Sequence, residues 1–165
     1  MRMNNIVNYG HNYYIEAVPK PTIKDIFTMQ RKVESLPQYD INQGLKHTFD
    51  PAGAYARELL LPAGSIVVGK VHVHAHLNIV SRGYCKVWTT DGEKMIDARL
   101  KPVTFMSEPG TKRVVFSLED TYWTTVHLTE KQDLKEIEDE IIVPESDFTE
   151  LLESIDFEQL KGITL

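Results

Sequence analysis

Hydrophobic and polar positions alternate with a period of two through the middle of this chain, and apolar residues recur at helical spacing on either side of it. Between Pro62 and Gly83, in the stretch PAGSIVVGKVHVHAHLNIVSRG, Ile66, Val68, Lys70, His72, His74 and His76 fall at alternate positions. Successive side chains on a β-strand point to opposite faces, so these residues are predicted to share one face. The opposite parity, Val67, Gly69, Val71, Val73, Ala75 and Leu77, is apolar and is predicted to be buried. The expected strand thus has an oily side and a side carrying imidazoles, and Asn78 continues the imidazole parity.

The same reading organises the rest of the chain. Residues 1–53 are read as an N-terminal arm and helix. Weak alternation around Tyr9, Tyr13, Tyr14 and Ile15 fits a short strand or an arm. Thr22 followed by Asp25 resembles a capping box for a helix whose apolar residues are Ile23, Ile26, Phe27, Val33 and Leu36, stopped by Pro37. The polar stretch from Tyr39 to Gly53 reads as a loop. Residues 54–128 read as a β-barrel: a strand at Ala54–Leu61, the histidine strand, and then a β-meander with strands at Tyr84–Thr89, Met95–Leu100, Thr104–Met106, Arg113–Leu118 and Tyr122–Leu128, punctuated by Asp91-Gly92, SEPG and Glu119-Asp120 turns. Seven or eight short strands of this kind predict a mainly β, antiparallel jelly-roll barrel. Residues 129–165 form an acidic helical extension, with Thr129 and Gln132 as a candidate capping box, Leu134, Ile137 and Ile141 on one face, and a last turn at Phe157 and Leu160 closed by Gly162. This extension is expected to cover the barrel's outside or a neighbouring subunit, or to dock a protein partner.

Composition narrows the setting. At 165 residues and 42% apolar content, the chain suits a single domain with a proper core. Cys85, the single cysteine, has no partner for an intramolecular bridge, and no apolar run approaches the roughly 20 residues of a membrane span. A cytoplasmic protein without membrane contact is expected. The net charge of −6 and the lack of a Lys/Arg cluster argue against nucleic acid as a partner. There is no P-loop, GxGxxG, CxxC or Ser-His-Asp ordering, and apolar outer strand faces lead to the expectation of a homodimer.

Against this background, Gly64, Lys70, His72, His76 and Gly83 occupy the five marked positions of G-x5-H-x-H-x3-E-x6-G, the first motif of the cupin superfamily, which the stretch from Ala54 to Leu128 resembles. Lys70 stands where the family has its first histidine, and His76 where it has glutamate. In the second motif Gly110 takes the later glycine, Arg113 the place of the third metal-binding histidine, and Ser117 that of the asparagine. More narrowly, GKVHVHAHLNIVSRG and EPGTKRVVFSLEDTYWTTVH resemble small cupin-like proteins of tailed phages and prophages, which implies a phage setting and no particular reaction. The location would then be the host cytoplasm or a virion.

The resemblance implies that His72 and His76 are metal ligands. Residues two apart on a flat strand are about 6.5 Å apart, so three consecutive imidazoles do not easily share one ion without a bulge or twist. His74, between them, or His127, arriving from across the barrel on the final strand, completes the candidate set for Zn, Fe, Mn or Ni. His11 and His47 stand alone. The opposing reading is a row of solvated histidines, or a polar pocket without metal. Lys70 and Arg113 bring two cations to positions where the family has histidines, so a cup for an anion is a second expectation, with both residues holding a phosphate or carboxylate. The alternative places Lys70 at the barrel mouth and Arg113 in a surface pair with Glu108 or Asp120. Asn78 can orient a ligand, and Trp123 can stack on one. Two functions follow: a small-ligand-binding barrel with metal-assisted chemistry on a small polar or anionic substrate, or a non-catalytic phage-type protein using the barrel as scaffold. Absence of the family's glutamate argues against a standard dioxygenase.

Overall fold

The computed structural model describes residues 19–156, together with the backbone of 6–9 and 12–15. Strands β1 (Ile6–Tyr9) and β2 (Asn12–Ile15) form an antiparallel hairpin. Helix α1 (Ile23–Glu34) begins as expected: Thr22 accepts from the Asp25 backbone N–H while the Asp25 carboxylate accepts from that of Thr22, so two orphan donors of the first turn are satisfied reciprocally. It buries Ile26 and Phe27.

Among the described residues nine further strands follow: β3 (Lys46–Asp50), β4 (Ala54–Leu61), β5 (Ile66–Val68), β6 (His76–Arg82), β7 (Tyr84–Thr89), β8 (Gly92–Asp97), β9 (Val103–Ser107), β10 (Val114–Ser117) and β11 (Thr121–Leu128). They form a four-stranded sheet in the order β5-β10-β7-β8 and a five-stranded sheet in the order β3-β4-β11-β6-β9, antiparallel throughout. The two sheets enclose Leu61, Val80, Cys85, Val87, Ile96, Ala98, Val115 and Trp123 as the apolar core. The expected architecture, an antiparallel jelly roll with a helix before it and helices after it, is what the chain forms.

At Gly83 the chain leaves one sheet for the other with a single connecting residue. Its φ is 120°, and a Cβ there would lie 2.5 Å from Thr121 Cα and 2.7 Å from the Asp120 carbonyl oxygen. Gly83→Ala is therefore expected to destabilise the protein by about 3 kcal/mol, through backbone strain and overlap with immovable main chain. Urea unfolding of the variant checks this.

Three expectations are corrected. The stretch 39–53 is more than a loop: a 3-10 turn at Ile41–Gly44 leads to β3, an edge strand. Its sequence, KHTFD, shows little alternation of burial because only one edge is paired, to β4, and most of its side chains face solvent. The helix expected near Thr129 begins later. In α2 (Leu134–Ile141) Asp133 is the N-cap, accepting from Lys135 and Glu136, while Thr129 donates to Glu140. The third correction concerns the histidine stretch, where β5 ends at Val68 and β6 begins only at His76. The chain between them leaves the sheet, so Val73 and Ala75 are exposed instead of buried. A 3-10 turn (Glu145–Phe148) and α3 (Thr149–Glu153) follow α2. The last turn expected at Phe157, Leu160 and Gly162, and His11, lie outside the described residues.

Candidate metal centre

The break in the histidine stretch is what lets its imidazoles converge. His76 opens β6 and points inward. Strand β11 runs antiparallel beside β6 with Val126 opposite Leu77, which sets His127 next to His76. His72 comes from the chain between β5 and β6, where it forms an isolated bridge with Ile142. The backbone around it is held on two sides. The N–H of Val73 donates to Ile141 O and that of Val143 to Val71 O, both at 2.9 Å, and Gly110 donates to His72 O, also at 2.9 Å. Helix α2 is anchored in turn by Ile137 and Ile141, which pack on Tyr55.

The result is a compact triad. Ring centroids lie 4.1 Å apart for His72 and His76, 4.9 Å for His72 and His127, and 4.7 Å for His76 and His127. One nitrogen from each ring lies within 4.8 Å of the others. His76 Nδ1 is 3.3 Å from His74 O, a contact that holds the Nδ1–H tautomer and leaves Nε2 as the free donor atom. Burial is the main cause that lowers all three imidazole pKa values, to about 3 for His72 and about 4 for His127; neighbouring histidines and Arg57 add to the shift at these two, Arg113 at His72 and His76, and the His74 carbonyl opposes it at His76. The rings are neutral at pH 7, the state in which imidazole binds a metal. Three converging neutral imidazoles, with the tautomer of His76 fixed, fit the three-nitrogen set of an open metal site.

A second polar group lies deeper. Asn78, fully buried, accepts from Trp123 Nε1 at 2.9 Å and from Arg113 at 3.3 Å, and donates to Ser107 Oγ at 2.8 Å. Arg113 also donates to Ser107. Among the described residues no carboxylate pairs with Arg113, and burial pushes its pKa down to about 10. Its positive charge reaches His72 and His76.

The structure therefore brings His72, His76, His127, Asn78, Arg113 and Trp123 into the barrel. It does not bring His74 or Lys70 there. His74 is exposed, because the chain leaves strand geometry and with it the period-two rule. Lys70 is also exposed and pairs with Glu138 of α2 at 3.4 Å, so the two-cation cup is reduced to Arg113. The surface pairing of Arg113 with Glu108 or Asp120 does not form. Trp123 sits in the core with Phe105 edge-on at 5.7 Å, and its indole N–H is taken by Asn78, so its ring is packed against protein. Ser107 and Tyr55 went unseen in the sequence. Ser107 reads there only as a turn residue. Tyr55, 6.2 Å from the His127 ring, bonds His47 at 2.8 Å, a neighbourhood set by the β4–β11 register.

No protein-family model matches the chain, and no curated protein sequence matches it. Solved structures do match. KdgF from Halomonas sp. is 14% identical with a TM-score of 0.45, over 61% of this chain and 91% of that one. A cupin-2 domain containing protein from Shewanella frigidimarina is 9% identical with a TM-score of 0.43, over 61% and 91%. The cupin domain of Cnp3 from Schizosaccharomyces pombe is 19% identical with a TM-score of 0.43, over 64% and 72%. Likeness at this level concerns the fold alone and adds no argument to the strand order, on which the jelly-roll assignment stands. The chain is a jelly roll similar to cupin barrels, with His72, His76 and His127 grouped so that they can hold a metal ion.

Proposed function

We propose that the barrel holds one divalent first-row metal ion on His72, His76 and His127, and binds a small anionic molecule beside it through Arg113. The observation that carries this reading is the convergence of three neutral imidazoles, two of them buried and one partly so, with no carboxylate in the cluster among the described residues. Imidazole donors suit Zn, Fe or Ni, and no softer or harder ligand in the set narrows the choice. A divalent ion there would gain no negative charge from its protein ligands, and Arg113 adds a further positive charge nearby. An anionic ligand is what such a field selects. When bound, the metal would supply Lewis-acid polarisation of a ligand oxygen.

The chain's own residues have distinct parts in this scheme. His74 O fixes the His76 tautomer, Asn78 and Ser107 hold the guanidinium in place, and α2 covers the end of the barrel beside the triad. The test uses protein without a histidine tag, dialysed separately against Zn, Fe, Mn and Ni and analysed for bound metal. One ion per chain is expected, and oxalate or phosphate should raise the melting temperature of the loaded protein. Arg113→Gln should keep the metal while weakening oxalate or phosphate binding about tenfold, the scale of one charge-assisted hydrogen-bonded contact. Protein that takes up none of the four metals, or an Arg113→Gln variant that binds both anions unchanged, would overturn the reading.

A further inference from the structure

A cavity of about 840 Å³, with no residue of the triad in its wall, lies between α1, β5 and the segment that follows α2. Its walls are largely apolar, with Phe27, Val33, Ile66, Val68, Ile142 and Phe148 among them. Lys112 also lines it and is only 4% exposed. Neighbours on a chain entering β10, Lys112 and Arg113 point to opposite sides, Arg113 into the barrel and Lys112 under α1.

The surroundings of Lys112 are poor in acceptors. Its Nζ donates to Gly69 O at 3.1 Å and lies 4.3 Å from the centre of the Phe27 ring. An ammonium has three N–H donors, and the single hydrogen bond described uses one. The acids Glu145 and Glu34 act on it only through space. Both are engaged elsewhere: Glu34 with Arg31 and Gln30 at 2.9 Å, and Glu145 with Gln30 at 2.5 Å. Burial draws the Lys112 pKa down to about 8, which leaves the amine mostly protonated at pH 7. A buried ammonium without a contacting counter-ion is costly unless something supplies one.

From this geometry we infer that the cavity is a second ligand site, for a medium-chain monocarboxylate whose hydrocarbon lies along the groove under α1 and whose carboxylate takes the Lys112 ammonium. The volume is in the range of pockets that enclose a small organic ligand. Of the two lysines in the wall, Lys70 is exposed and paired with Glu138, so Lys112 is the buried cation and matches a molecule with one charged end. Four carboxylates line the cavity, Glu34 and Glu145 held by Arg31 and Gln30, Glu138 paired with Lys70 and Asp139 with Lys135, and they disfavour a second negative group on the ligand.

The test compares octanoate with octanol by titration calorimetry, on the whole chain labelled with ¹³Cε-lysine. Wild-type protein should bind octanoate at least about tenfold more tightly than octanol, the scale of one charge-assisted contact in an enclosed site, with the Lys112 resonance shifting on octanoate addition. Lys112→Met keeps the apolar stem and should bring octanoate down to the affinity of octanol while octanol binding persists. Should that variant fail to fold, the labelled wild-type resonance decides alone. Absence of octanoate binding, binding that leaves the Lys112 resonance unmoved, or octanoate affinity unchanged in Lys112→Met would each overturn the inference.

Discussion

Alanine at position 76 is expected to abolish metal uptake. His76 is 2% exposed, lies within 4.7 Å of both other rings centre to centre, and is the member of the triad whose tautomer is fixed by a backbone carbonyl. Without it only His72 and His127 remain, too few to hold a labile divalent ion at ordinary concentration. Loss of an outer partner of a metal ligand already weakens affinity 10- to 100-fold, so loss of the ligand itself should exceed about 100-fold. His74→Ala provides the comparison. That ring is exposed and makes no part of the triad, and the carbonyl that orients His76 survives the substitution, so uptake should stay within about twofold of wild type. Titration with Zn or Co, read by calorimetry or by the visible bands of bound Co, separates the two variants. Full uptake by His76→Ala would remove the triad from consideration.

Acid should unfold the metal-free protein by way of the same rings. The folded-state pKa values of His72 and His127 are lowered to about 3 and about 4, from an ordinary value of 6.5. Below pH 6.5 the unfolded chain takes up protons that the folded chain refuses, so the unfolded state gains. Stability is therefore complete above pH 6.5 and declines as pH falls toward the folded-state values. With 1.36 kcal/mol per pKa unit, the loss between pH 7.5 and pH 5 should be roughly 3 kcal/mol, after some discount for the partial exposure of His72. Urea titrations at the two pH values measure it, and His127→Gln should flatten the slope by removing one of the groups. A metal-free protein equally stable at both values would show that these imidazoles stay solvated.

Much of this was legible in the residues. Alternation located most barrel strands to within a few positions, and Thr22 and Asp25 marked the start of α1 correctly, because periodicity and capping are local properties. The inward parity of His72, His76 and Asn78 was also readable. The fate of His74 and Lys70 was not, because the rule of alternate faces lapses once the chain leaves the sheet after Val68, and nothing in GKVHVHAH announces the departure. What bends that segment away is the distant Ile141–Val143 backbone and the Gly110 amide, contacts separated from it by some tens of residues. Strand β3 escaped for a related reason: an edge strand is held by its backbone, and KHTFD carries little apolar alternation to betray it. Arg113 was visible as a candidate, but its freedom from any acid depends on Asn78 and Ser107 meeting it inside the barrel.

The bridge between His72 and Ile142 makes the acidic helix and the imidazole cluster reciprocal partners. An ion that tightens His72 must, by thermodynamic necessity, tighten the docking of α2 by the same free energy, and whatever pries the helix away must loosen the ion equally. Lys70, paired with Glu138 of that helix on the exposed surface, would then bear on ion retention only weakly and without touching the ion. Cutting the chain after Leu128 would leave every barrel strand in place and yet remove the clamp that sets the third nitrogen.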